Sequence, residues 1–117
     1  MPKTGTDLVN EAKQRITEIE PGAARAAHAS PDTVFVDVRE PNEYNLGRVP
    51  GAIPLPRGTI ETRGEGMLPR DKKIVVYCGG GSRSALAADT LRAMGYDVCS
   101  LRGGYRGWVE DDGPIER

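Results

Sequence analysis

The sequence predicts a single α/β domain built on a mainly parallel sheet, and two observations carry that expectation. Three short runs, Thr33 to Val38, Ile74 to Tyr77 and Val98 to Leu101, are β-branched or nearly all apolar, as strands buried on both faces should be. Helical stretches fall between and around them, and strands that alternate with helices pair in parallel. With 117 residues, 38% hydrophobic and 28% charged, the chain suits one domain with one real core rather than two domains or a disordered segment.

In chain order, residues 6 to 15 read as a helix capped by Thr6, with Leu8 and Ala12 on a shared face. Ile16 and Ile19 fit either a continuation of that helix or a short strand. Pro21-Gly22 punctuates, and the alanine-rich stretch 22 to 29 reads as a second short helix. After the first clear strand come a polar helical turn from Pro41 to Leu46 and the Pro/Gly-rich stretch VPGAIPLP. The tract from Arg57 to Arg70 holds three glycines and reads as loop. Ser84 to Met94 forms a helix with Ala87, Leu91 and Met94 on one face, stopped by Gly95. Gly103-Gly104 makes a turn, and Tyr105 to Glu110 a last helix.

Composition narrows the function. Sixteen Lys plus Arg nearly cancel seventeen Asp plus Glu, which argues against binding nucleic acid through bulk charge. The N-terminus lacks the apolar core of a signal peptide, and no apolar run is long enough to span a bilayer, so a cytoplasmic protein with no membrane partner is expected. Two cysteines in that compartment are candidate thiols first. One histidine and two distant cysteines do not make a zinc spacing, so neither metal nor cofactor is expected.

In open parallel sheets ligands bind beyond the carboxyl ends of the strands. Three loops should share that edge: those after Val38, at Cys78 and after Leu101. The second is the informative one, Tyr77-Cys-Gly-Gly-Gly-Ser-Arg-Ser84. A cysteine ends a buried strand, three glycines follow, and a helix begins near Arg83. Glycines let consecutive N–H groups turn inward as an anion-binding nest, and the helix N-terminus adds partial positive charge. Arg83 can add a whole one. These effects favour a thiolate at Cys78, whereas an inert core cysteine would need neither the glycines nor the arginine. Four residues separate Cys78 from Arg83. Phosphatases and arsenate reductases that use cysteine have five, because the loop must wrap a tetrahedral oxyanion. One residue fewer removes up to about 3.6 Å of contour, and a tighter ring suits the single terminal sulfur of Cys–S–S⁻.

The Cys-x4-Arg-Ser loop and the alanine-rich helix after it resemble the active loop of the rhodanese family. Val36-Asp-Val-Arg-Glu40 with Glu43-Tyr44, Gly47-Arg-Val-Pro-Gly-Ala52, Gly95-Tyr-Asp-Val98, Leu101-Arg-Gly-Gly104 and Trp108 are similar to family segments in the same order. The likeness spans roughly residues 16 to 110, so residues 16–117 are expected to form the rhodanese-like domain and residues 1–15 an N-terminal helical extension. The resemblance implies a five-stranded parallel sheet with helices on both faces. It also implies transfer of sulfane sulfur from thiosulfate or a related small anionic donor, through a Cys78 persulfide, to cyanide or to a thiol on a small molecule or a protein. Gly79, Gly80, Gly81, Ser82 and Arg83 would hold the persulfide. Many family members have histidine where this chain has Arg48, which touches local hydrogen bonding and substrate choice rather than the nucleophile.

Asp37, Arg39 and Glu43 match the family's charged cluster and are expected to position loops as an ion pair. Arg102, after the third strand, should lie near Cys78 and could draw an anionic donor together with Arg83, or be a solvated surface residue. Trp108 reads as a core anchor and His28 as a surface or capping residue. Cys99 lies near the start of its strand, too far from Cys78 to act as a resolving thiol. A non-turnover persulfide carrier or interaction module of the same fold, and a cysteine-dependent phosphatase or arsenate reductase, are the competing functions.

Overall fold

The computed structural model describes residues 1–117. In chain order the elements are α1 (Gly5–Arg15), β1 (Glu18–Ile19), α2 (Pro21–His28), β2 (Thr33–Asp37), α3 (Pro41–Leu46) and β3 (Ile53–Pro54). A 3-10 turn (Arg57–Thr59) then leads into α4 (Ile60–Met67), β4 (Lys73–Tyr77), α5 (Ser82–Ala93), β5 (Val98–Leu101) and α6 (Gly104–Glu110). The five strands form one parallel sheet in the order β1-β5-β4-β2-β3. From β2 the chain moves outward to β3, and from β4 it moves the other way to β5. The connections therefore diverge between β2 and β4, which opens a crevice at their carboxyl ends.

Side chains alternate across the sheet and build two apolar layers. Val36, Val38, Ile74, Val76 and Cys78 face α5, where Ala87, Ala88 and Leu91 are buried. Phe35, Val75, Tyr77 and Leu101 face the other way, against Ala24 of α2 and Trp108 of α6. Trp108 is fully buried, meets Phe35 and His28 edge-on, and donates its indole N–H to the Pro114 carbonyl at 2.6 Å. It is the expected anchor. His28 is more tightly engaged than a surface residue, because its Nε2–H donates to the Pro50 carbonyl at 2.8 Å.

Two local expectations, the start of the first helix and the tract after Arg57, are corrected, and two stretches without a single assignment are resolved. The first helix starts a residue earlier, capped by Thr4, whose side chain accepts from the Asp7 N–H while Asp7 accepts from the Thr4 N–H. Its Ala12 is buried but Leu8 stays half exposed, so only its C-terminal half docks on α5, with an Arg15–Asp89 fork beside the contact. Ile19 belongs to a two-residue edge strand rather than to the helix. Pro54 belongs to β3, tolerated because that strand is an edge. The tract from Arg57 to Arg70, expected as loop, contains α4. Its glycines cost about 1 kcal/mol each in helix propensity, whereas burying Ile60 and Leu68 returns about 1.5–3 kcal/mol apiece. Gly64 turns toward α5, where an added Cβ would lie 3.8 Å from Leu91.

Glycine is required where α6 meets the loop after β4. Gly104 has φ +59°, and a Cβ there would fall 2.5 Å from the Cys78 carbonyl oxygen. Gly51 has a similar φ of +77° but open space around it. Gly51→Ala should cost only the left-handed dihedral penalty, about 1 kcal/mol. Gly104→Ala should cost that and a displaced backbone, at least about 3 kcal/mol. Urea midpoints at unchanged slope will report both, and equal losses would show that close approach at Gly104 is unimportant.

Candidate functional site

Cys78 is the first residue past β4, with its side chain on the α5 face of the sheet and only 1% of its surface exposed. The loop behind it reverses sharply at Gly81 (φ +112°), and this turn aims two backbone amides at the sulfur. The Gly81 N–H reaches Sγ at 3.1 Å and the Ser84 N–H at 3.3 Å. The S–H donates to Ser84 Oγ at 3.4 Å, and the buried Ser100 hydroxyl of β5 donates to the same oxygen at 2.8 Å. On ionisation the Ser84 hydroxyl can turn to donate to sulfur while Ser100 still supports its oxygen. Of the loop residues expected to hold a persulfide, Gly81 bonds the resting sulfur. Gly79, Gly80, Ser82 and Arg83 surround it without doing so.

The loop's carbonyls point outward and are satisfied by α6. Tyr105 N–H donates to the Cys78 carbonyl at 2.7 Å and Arg106 N–H to the Gly79 carbonyl at 3.2 Å. The orphan amides of one helix N-terminus thus pin the loop that precedes another helix.

The charged cluster divides into two ion pairs. Asp37 and Arg39 are both buried and form a fork with contacts of 2.7 and 3.0 Å, and Asp37 also accepts from the Arg39 N–H and, at 2.8 Å, from the Tyr77 hydroxyl. Arg39 also donates to the Gly47 carbonyl at 2.7 Å and lies over the Tyr105 ring at 4.4 Å. Burial, with the Asp37 charge adding, pushes the Tyr77 hydroxyl well above its ordinary pKa, so it stays a donor. Glu43 pairs not with Arg39 but with Arg83, at 2.7 and 3.1 Å. Arg83 therefore does not give the nest a free positive charge. Its guanidinium lies over Gly79, where an added Cβ would be 3.3 Å away, with its fork turned to the carboxylate.

Arg102 follows β5 at the expected edge, but its exposed guanidinium pairs with Glu18 at 3.2 Å and Glu20 at 3.1 Å. It is a surface ion-pair partner of the β1 edge. Arg48 lies over Tyr44 and pairs with Glu116, whose backbone bridges that of Arg48. Cys99 sits level with Val75 and on the opposite face from Cys78, so three residues of strand, about 10 Å, and the sheet itself separate the thiols. Burial, with the Asp97 charge adding, pushes the Cys99 thiol up to about 11. A cavity of about 270 Å³ beside Cys99 lies at the amino ends of the central strands, away from the nest. A groove of about 340 Å³ flanked by Leu46, Tyr105 and Val109 adjoins Glu43 instead.

Ser100 and the partnership of Glu43 with Arg83 were not legible beforehand. The only signal for Ser100 is a polar residue at a strand position that faces the core, three residues before the glycine turn.

Two outcomes follow from this geometry. Ser100→Ala removes a donor from Ser84 and should slow alkylation of Cys78 by iodoacetamide about three- to tenfold, with little change at Cys99. An unchanged Cys78 rate would remove Ser100 from the site. The Arg83 hydrogen bonds hold Glu43 down at about 2, against 4.5 for a free carboxyl. A depressed folded pKa gives stability that is full above pH 4.5 and fades as pH falls toward 2. The melting temperature of Glu43→Gln should therefore lie below wild type at neutral pH and converge with it as the pH falls from 4.5 to 2. A constant gap across that window would refute the linkage.

Comparisons with known proteins agree with this architecture. The family model of the rhodanese-like domain matches residues 20–111. A sulfurtransferase of Allochromatium vinosum is 39% identical over 85 residues, covering 72% of this chain and 78% of that one. A putative sulfur carrier protein of Bacillus subtilis, YrkF, is 31% identical over 109 residues, covering 92% of this chain but 58% of the longer relative. A solved structure from Rhodopseudomonas palustris, described as a protein of unknown function and possible tyrosine phosphatase, superimposes with a TM-score of 0.88 at 37% identity and covers 99% of both chains. By its sheet, its loop after β4 and its match over residues 20–111, the chain belongs to the rhodanese-like domain family.

Proposed function

We propose that this protein is a sulfurtransferase that carries sulfane sulfur as a persulfide on Cys78. The observation that carries the reading is the convergence of the Gly81 and Ser84 amides on Sγ, at 3.1 and 3.3 Å, from a loop too short to wrap a tetrahedral oxyanion. The thiolate attacks the outer sulfur of a donor. With thiosulfate a new S–S bond forms at Cys78, the donor's S–S bond breaks, and sulfite leaves with the electron pair. With a persulfide R–S–SH the products are Cys78–S–SH and R–S⁻. The first-turn amides of Ser82 and Arg83, which bond nothing at the sulfur in the resting site, would receive the added sulfur, as oxyanion-hole donors receive oxygen. In the second half-reaction an acceptor thiolate or cyanide attacks that outer sulfur and restores the Cys78 thiolate.

The likeness to a putative sulfur carrier supports a second reading, delivery of the persulfide to a protein partner without free turnover. A phosphatase is disfavoured by more than loop length. Its arginine must grip the phosphate oxygens, and the Arg83 fork is already held by Glu43.

Intact mass after incubation with thiosulfate or a thiol persulfide tests the reading. Wild type should gain one sulfur atom, lost again on adding cyanide. Cys78→Ser should lower that gain at least about a thousandfold, and Cys99→Ser should keep most of it. Sulfur gain that survives in Cys78→Ser would overturn the assignment. Gain without turnover would select the carrier, and hydrolysis of an aryl phosphate the phosphatase.

A further inference from the structure

The arginine of the Cys78 loop is not free to meet a doubly negative donor. Arg83, within the loop, is met by two carboxylates. Arg83 is forked to Glu43, and Glu40 adds a second, more distant negative charge beside it. Arg102, toward the β1 edge, is likewise spent on Glu18 and Glu20. Arg106 on α6, beside Gly79, makes no ion pair. The Arg83 charge at the loop is thus matched by Glu43, while the amides of Gly81 and Ser84 supply donors for one anionic sulfur.

We infer that Glu43 sets donor choice, by neutralising Arg83 at the mouth of the nest so that the site favours sulfane donors with at most one negative charge over the thiosulfate dianion. The inference rests on Cys78 being the sulfur carrier. Thiosulfate would seat its sulfane sulfur at the nest and leave its sulfonate at the rim, where the Arg83 guanidinium lies over Gly79. With Glu43 in place that cation is spent on a carboxylate held ionised throughout the neutral range. A persulfide R–S–SH, or a thiosulfonate monoanion, brings less charge to the same place. Glu43 acts here through charge and does not touch the reacting sulfur.

Methanethiosulfonate is the matched probe, since Cys78 would break the same kind of S–S bond and release methanesulfinate where thiosulfate releases sulfite. The second-order rate of sulfur gain at Cys78 is read by quenched intact mass, for both donors, in wild type and Glu43→Gln. The amide can still accept the Glu40 N–H that Glu43 accepts at 3.1 Å, so the α3 start is kept. One charge at about 7 Å in water changes a rate about threefold per unit of donor charge. Glu43→Gln should therefore raise the thiosulfate rate about eightfold and the methanethiosulfonate rate about threefold, and about 0.5 M salt should erase most of the difference. Glu40→Gln, which leaves the Arg83 fork intact, should move the ratio the same way by less. That arm stands if Glu43→Gln folds poorly. Equal changes for both donors, including equal losses, would mean that Glu43 only positions Arg83 and would overturn the inference while leaving sulfur transfer intact. If neither donor adds sulfur to wild-type Cys78, the sulfurtransferase reading falls and this inference with it.

Discussion

The loop after β4 must present its amides inward and its carbonyls outward at once, and much of the domain is arranged around that requirement. Six residues cannot do both with ordinary backbone angles, so Gly81 takes φ +112°. The outward carbonyls then need donors, and the first-turn amides of α6 supply them at Cys78 and Gly79. For α6 to come that close, Gly104 must lack a Cβ. To stay there it needs an anchor, which is Trp108 buried against Phe35 and locked by the Pro114 carbonyl. The geometry at one sulfur is thus tied to the apolar layer on the other side of the sheet.

The two ion pairs near the site differ in burial, and that sets what each can do. Asp37 and Arg39 are out of water with their polar atoms engaged by Tyr77, Gly47 and each other. Such a pair adds little net stability over an apolar substitute, but removing one member leaves an unpaired buried charge, a cost of about 3–5 kcal/mol. Its use is to fix the loop after β2 against β4. The Glu43–Arg83 pair is partly solvated, with side chains 34% and 40% exposed, so screening keeps its contribution to stability small. A charge placed there acts on what approaches the site more than on folding.

The sequence made legible what depends on period and on glycine. Strands β2, β4 and β5, the turn at Cys78 and the helix after it all follow from apolar runs and punctuation, and they locate the site. Elements decided by tertiary packing were not legible. Residues 60 to 67 carry two glycines and become helical because Ile60 and Leu68 have a core to enter. Pro54 joins the sheet because β3 is an edge. Side-chain partners were the least legible. Glu43 is four residues from Arg39 but forty from Arg83, and only the fold brings it to the latter. Ser100 sits in a strand that reads as apolar, and its role appears once β5 lies beside β4 and α5 starts above it.

The two cysteines show how one residue type meets opposite surroundings from position alone. Both lie at core-facing positions in or beside neighbouring parallel strands, and neither is in a disulfide. Cys99 is inside its strand, where the backbone amides are spent on the sheet ladder and none is free for a thiolate. Burial and Asp97 then hold its proton on. Cys78 is one residue past the end of its strand, on the other face, where the ladder has stopped and a helix is beginning. Amides at a helix start have no intrahelical partner, so they can turn to the sulfur without breaking any structure. The free donors are a by-product of ending one element and starting another in six residues. This explains in physical terms why amides converge on a sulfur at the junction of β4 and α5 rather than inside a strand. It also explains why moving the cysteine by a single residue, which would turn it to the opposite face of the sheet, would lose the site.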